Sequence, residues 1–220
     1  MCGVKIFKEP KMGSAKWKLA AGFAATVIFV VLSHFFIDIP VALFCKKIDK
    51  SVTDIFEMIT PLGISTWYLV GSFSLFLLFK FYYQRRLLAN RVLFLFASIS
   101  FSGIISTILK WLMGRFRPKV LFEENLYGFN FFSTTYEKNS FPSGHATTVF
   151  SLALALSIFF PKYRVLFLSY ALIVAATRVV ITAHYLSDAV GGAFVAIMTV
   201  FFLRKGIYFL ERKGFSKLSI

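Results

Sequence analysis

Hydrophobic and polar positions in this chain alternate in long blocks, not at the short period of strands. Six apolar stretches lie near residues 17–37, 62–83, 91–112, 143–160, 163–182 and 185–204. Each is predicted to form a helix long enough to cross about 30 Å of hydrocarbon. The last three follow one another closely. Two longer connections separate the others. Residues 38–61 mix Lys46, Lys47, Asp49, Lys50, Asp54 and Glu57 with apolar positions, which suits a short amphipathic helix at the interface. Residues 119–141 carry Phe122, Tyr127, Phe129, Phe131, Phe132, Tyr136 and Phe141, either as an aromatic belt or as a rim that grips a lipid. There is no internal repeat and no low-complexity linker. The pattern predicts an all-α fold: a polytopic membrane helical bundle of six transmembrane helices, forming one domain over residues 1–220.

Composition strengthens this picture. The chain is 58% hydrophobic and 16% charged, against about a quarter charged in soluble domains. A net charge of +15 would suggest nucleic acid in a soluble protein. Here no nucleic-acid-binding motif accompanies it, and the cations have a topological reading. Lys5, Lys8, Lys11, Lys16 and Lys18, then Lys80, Arg85, Arg86 and Arg91, then Lys162 and Arg164, then Arg204, Lys205, Arg212, Lys213 and Lys217 fall on one side of a six-span layout. Only two acids, Glu9 and Glu211, join them there. Both termini are therefore expected in the cytoplasm. The lysine-rich start reads as an uncleaved signal anchor, because Ser33 to Pro40 offers no cleavage pattern. Cys2 and Cys45 then lie on opposite sides of the bilayer and should not pair, and no Cys/His cluster suggests zinc.

Three polar clusters interrupt the apolar sequence, all on the expected outward side: Lys110-x6-Arg117-Pro118, Pro142-Ser143-Gly144-His145 and Arg178-x5-His184-x3-Asp188. Charge among membrane spans usually marks a working site. Lys110 and Arg117, seven residues apart, would share a helix face, with Pro118 ending the helix. Arg115 and Lys119 would face solvent or lipid headgroups. The second cluster opens a helix, where free N–H groups favour an anion. Ser143 can cap that helix or donate to a phosphate, and Gly144 allows close approach. His184 and Asp188, spaced i,i+4, would share a face, so that the carboxylate fixes the tautomer of the imidazole and raises its basicity. Arg178 needs an anionic partner: a ligand, or Asp188 as an internal ion pair. Gly191 and Gly192 suit close helix packing. His34 reads as interfacial or packed.

Taken together, the clusters resemble, in order and spacing, the tripartite signature of the type 2 phosphatidic acid phosphatase superfamily (PAP2). The resemblance is carried by residues 110 to 188 and departs at one position, where Thr177 stands in place of the usual Ser. It implies His184 as the nucleophile forming a phosphohistidine, Asp188 as its orienting group, and His145 as general acid and then base. Lys110, Arg117, Arg178, Ser143 and the Gly144 N–H would hold the phosphate. No metal or other cofactor is implied, since three fixed cations can do the work of Mg²⁺.

The expected protein is a bacterial inner-membrane, multi-pass lipid phosphatase with a periplasmic site. Its partners would be a phosphorylated lipid and the bilayer, with no nucleic acid; the sequence leaves the oligomeric state open. Substrate candidates are phosphatidylglycerol phosphate, undecaprenyl pyrophosphate, phosphatidic acid and lipid A 1-phosphate. Two alternatives remain: transfer of the phosphate to a second lipid, and a non-catalytic lipid carrier.

Overall fold

The computed structural model describes residues 15–212. Cys2, Lys5, Lys8, Glu9, Lys11, Lys213 and Lys217 lie outside the described residues. Helix α1 (Ala15–Phe36) meets α2 (Asp38–Lys46) at a bend of 58°. The expected amphipathic segment follows as α3 (Lys50–Ile59), then a 3₁₀ turn at Thr60–Gly63 and α4 (Ser65–Leu77), which widens into a π turn at Leu78–Tyr82. Next come α5 (Arg86–Met113) and the short α6 (Pro118–Glu124). The bundle closes with α7 (Gly144–Phe159), α8 (Arg164–Val180) and α9 (Leu186–Arg212).

All six apolar stretches are helical, but not all are simple spans. Among the described residues, four helical segments are long and apolar enough to cross a membrane, or up to five if the bent α1–α2 pair counts as one. The second prediction, 62–83, is extended backwards, because the candidate span runs from Lys50 to Tyr82. The fourth, 143–160, is the 16-residue α7, about 24 Å long and so short of the hydrocarbon thickness.

That short helix is the centre of the bundle. It packs against α5, α8 and α9. Its buried face is built from small residues, including Ala146, Thr147, Ser151, Ala153 and Ala155, which let neighbouring backbones approach closely. The Ser102 and Ser151 hydroxyls bond across the α5–α7 seam at 2.7 Å. Large apolar side chains point outward instead, among them Phe35, Trp67, Ile104, Leu172 and Phe202. This inside-out distribution suits lipid as solvent.

The end of α5 corrects the predicted geometry of the first cluster. Gly114, at φ +56°, closes the helix, and its N–H donates to Lys110 O at 2.9 Å. A Cβ there would run into the Asn130 carbonyl, so the position needs glycine for both shape and space. Lys110 is therefore on α5, while Arg117 caps the start of α6. Pro118 does not end a helix; it occupies the first turn of α6, where a missing N–H does no harm.

Candidate active site

Four helix ends meet at one end of the bundle: the C-terminal ends of α5 and α8 and the N-terminal ends of α7 and α9. This brings the three clusters together. Lys110 Nζ donates to the carbonyl of Asn139 at 2.9 Å, and Arg117 Nη2 donates to the same oxygen at 3.3 Å. The two cations converge through this carbonyl, not through a shared helix face. Arg117 Nε donates to Tyr136 O, and its guanidinium lies 3.9 Å from the Tyr136 ring centroid. Its Nη1 reaches Ala183 O at 3.0 Å and lies 3.4 Å from His184 Nε2.

His184 is not on a helix. It sits in the tight turn between α8 and α9, two residues after Thr182, which adopts φ +53°. A β-branched residue there is strained, a condition that gathers at working sites. The N–H groups of Ala183 and His184 both donate to Arg178 O at 3.0 Å, tying the histidine to the third-cluster arginine. Burial pushes the His184 imidazole well below its ordinary range, to about 3. Lys110 and Arg117 add to that shift, and Asp188 opposes it.

Asp188 still meets His184, but from the first turn of α9. Its Oδ2 lies 3.5 Å from His184 Nδ1, accepts Ser140 Oγ–H at 2.5 Å and accepts the Tyr185 N–H at 2.9 Å. The last contact is a helix-capping one, in which the third residue reaches back to the N-cap N–H. The i,i+4 spacing thus gave the right pair through a different geometry.

In the second cluster, Ser143 is fully buried and accepts from the Ala146 N–H at 3.5 Å, the capping role. Its own N–H donates to Asp188 O at 2.9 Å. The Gly144 and His145 N–H groups are in the first turn and have no acceptor within the helix. A Cβ on Gly144 would lie 3.9 Å from Lys110 Cε. The His145 ring packs on Gly63, where a Cβ would be 2.5 Å from Cδ2. Arg178, Lys110 and Arg117 all lie within electrostatic range of His145, and Lys110 and Arg117 also act on His184. Gly191 and Gly192 pack as expected: Gly191 faces the Phe141 ring, and a Cβ on Gly192 would lie 2.5 Å from Ser143 O.

Arg178 does not pair with Asp188. Its Nη1 donates to Thr60 Oγ1 at 2.8 Å, while its buried Nε has no hydrogen-bond partner. Thr177 uses its hydroxyl on Val174 O (2.7 Å) and on Thr60 Oγ1 (3.2 Å). The 3₁₀ turn at Thr60–Gly63 therefore supports both Arg178 and His145. Sequence reading missed Thr60, Asn139 and Ser140, because nothing in a Thr, an Asn or a Ser between spans signals a distant cation. It also misjudged Arg115, which is 1% exposed and bonded to Asp188 and Asp38. Lys119 is exposed, near Glu123. His34 is packed, stacked on Tyr127 at 4.6 Å. In the aromatic connection, Tyr127, Phe129, Tyr136 and Phe141 contact site or support residues, and Phe129, Phe131, Phe132 and Tyr136 are exposed. Cys45 is a buried free thiol. Among the described residues, no group of three or more His, Cys, Asp or Glu is placed to hold a metal ion.

The sequence model of the PAP2 superfamily matches residues 91–212. The chain belongs to the PAP2 superfamily. Among its PAP2 relatives, a lipid A 1-phosphatase of Rhizobium etli is 32% identical over 199 residues, covering 84% of this chain and 85% of the relative. Two solved structures share the PAP2 fold. Aquifex aeolicus LpxE superposes with a TM-score of 0.61 at 21% identity, over 79% of this chain and 98% of that one. The transmembrane PAP2-type phosphatidylglycerolphosphate phosphatase of Bacillus subtilis superposes with a TM-score of 0.64 at 19% identity, over 87% and 96%.

Proposed function

We propose that this PAP2 protein is a membrane lipid phosphatase acting on lipid A 1-phosphate or a closely similar lipid monophosphate at the periplasmic face. The observation that carries the chemistry is the placement of His184. One ring nitrogen faces Asp188 and Ser140, and the other faces Arg117 at 3.4 Å. A proton held on Nδ1 by the carboxylate leaves Nε2 unprotonated, and its lone pair becomes the nucleophile once phosphate oxygens take up the Arg117 donor.

Nε2 attacks phosphorus, the bond from phosphorus to the lipid oxygen breaks, and His145 gives its proton to that oxygen. Water then attacks the phosphohistidine, His145 takes a proton from it, and the P–N bond breaks to release phosphate. Lys110, Arg117, Arg178 and the N–H groups opening α7 stabilise the charge that develops on the phosphoryl oxygens. Ser143 acts as the cap that sets those N–H groups.

The orientation rests on the distribution of charge. Arg86 and Arg91 begin α5, Arg164 begins α8, and Arg204 and Lys205 lie toward the end of α9. These are the helix ends opposite the site, which supports a cytoplasmic basic side, a periplasmic site and cytoplasmic termini. The six helical stretches form one domain, with α7 crossing as a short central element and the α1–α2 pair as one bent crossing. The lipid A assignment rests on the 32% identity to the Rhizobium enzyme.

Phosphate release from lipid A, phosphatidylglycerol phosphate, undecaprenyl pyrophosphate and phosphatidic acid, with a His184→Ala control, tests the reading. Lipid A should be preferred and the control inactive. Preference for another lipid overturns the substrate, and label passing to a second lipid instead of inorganic phosphate overturns hydrolysis.

A further inference from the structure

The family signature accounts for Asp188 but not for what stands behind it. Asp188 Oδ1 receives Arg115 Nη1 at 2.5 Å. The other nitrogen of the same fork, Nη2, donates to Asp38 Oδ2 at 2.6 Å. Asp38, Arg115 and Asp188 are all essentially sealed from solvent. Asp38 is fully satisfied: Ser33 Oγ donates to it at 2.8 Å, and the Ser187 N–H and hydroxyl donate at 3.1 and 2.5 Å. Ser187 Oγ also accepts from Arg115 Nη1 at 2.6 Å. His34 and Tyr127 complete the shell around Nη2. Tyr185 lies under the guanidinium at 4.5 Å from its ring centroid.

Two carboxylates and one guanidinium buried together are not a device for stability, because apolar residues of similar volume serve that end as well or better. The arrangement does fix orientation. Arg115 occupies one Asp188 oxygen, so that only Oδ2 is left for His184. Asp38 in turn fixes the plane of the fork. Asp38 lies at the bend between α1 and α2, outside residues 91–212 that match the family.

We propose that Asp38 and Arg115 are positioning residues for the phosphatase reaction, aiming Asp188 at His184, and that the N-terminal helix pair thereby completes the site. This rests on the reading of His184 as nucleophile. Neither residue touches substrate; each acts through Asp188.

The test uses the full chain in detergent with Asp38→Asn, Arg115→Met and Arg115→Lys. Competent sites are counted by calorimetric binding of inorganic phosphate, which the Lys110–Arg117–Arg178 cations hold. Vanadate serves as the pentacoordinate mimic bonded to the nucleophile. The expected result is a kcat per phosphate-binding site lowered about 10- to 100-fold, the scale on which hydrogen-bonded partners tune oriented imidazoles. Vanadate affinity should fall in step, while KM and phosphate affinity change by less than about threefold. Arg115→Lys should not rescue, because an ammonium cannot span both carboxylates. If Arg115→Met does not fold, Asp38→Asn, which keeps shape and Arg115, decides. Fewer sites with unchanged kcat per site, or full rescue by lysine, would overturn the proposal. An active His184→Ala would instead overturn the phosphatase mechanism itself, a separate outcome.

Discussion

Thr60 provides the sharpest quantitative test of how the phosphate cradle is assembled. Its hydroxyl is the acceptor for Arg178 Nη1 at 2.8 Å and is bonded by Thr177 at 3.2 Å. Arg178 Nε has no partner, so Thr60 is the side chain that aims this guanidinium. Thr60→Val keeps the shape and removes the oxygen. A hydrogen bond to a buried charged group contributes about 1.5–3 kcal/mol. If that is realised in the transition state, kcat/KM falls about 10- to 150-fold. Thr177 keeps its bond to Val174 O, so α8 should stay helical, and the loss of stability on melting in detergent should not exceed that same ~1.5–3 kcal/mol. The assay is steady-state phosphate release from a lipid phosphate, with melting measured on the same preparation. Undiminished kcat/KM in a folded Thr60→Val protein would refute the claim that Arg178 must be aimed from the Thr60–Gly63 turn.

Other expectations follow from the same geometry. Gly192→Ala would set a methyl 2.5 Å from Ser143 O and 3.0 Å from Ala146 Cβ; overpacking of this kind costs about 1–3 kcal/mol, and it should lower both melting temperature and activity, whereas Gly206→Ala, in open space, should change neither. His184 is held below its ordinary 6.5, so the unfolded chain takes up a proton first. Stability should be level above pH 6.5 and fall toward pH 3 by at most about 1.4 kcal/mol per pH unit. His184→Gln should flatten that slope in detergent melts, and an unchanged slope would assign the loss to other groups. Activity should persist in EDTA; loss restored by Mg²⁺ would contradict catalysis by fixed cations.

Much of the fold was legible because lipid exposure demands long apolar runs, and all six became helices. Lengths were less legible. α7 reads as a span by composition, yet its burial among α5, α8 and α9 lets it be short. The three polar clusters of the candidate site were legible as residues that would come together, and less so as geometry. Lys110 with Arg117, and His184 with Asp188, were paired correctly, but by helical spacing that Gly114 and the 181–184 turn replace. Periodicity cannot register a left-handed residue that ends a helix between two motif positions. Arg115 looks like a surface cation in the sequence because its partners, Asp38 and Asp188, lie more than seventy residues away on either side. An acid directly after an apolar span was the one signal available for Asp38. Thr60, Asn139 and Ser140 gave none, since a backbone carbonyl or a hydroxyl gains its role only from the folded approach of a cation or carboxylate.

The most direct measurement is the chemical state of His184 during turnover. The full chain is incubated with phosphate-labelled lipid, quenched in alkali and mapped by mass spectrometry. An acid-labile phosphoryl group on His184, absent from His184→Ala, is the predicted result. Label on any other residue, or rapid turnover with no protein-bound phosphate at all, would contradict the account.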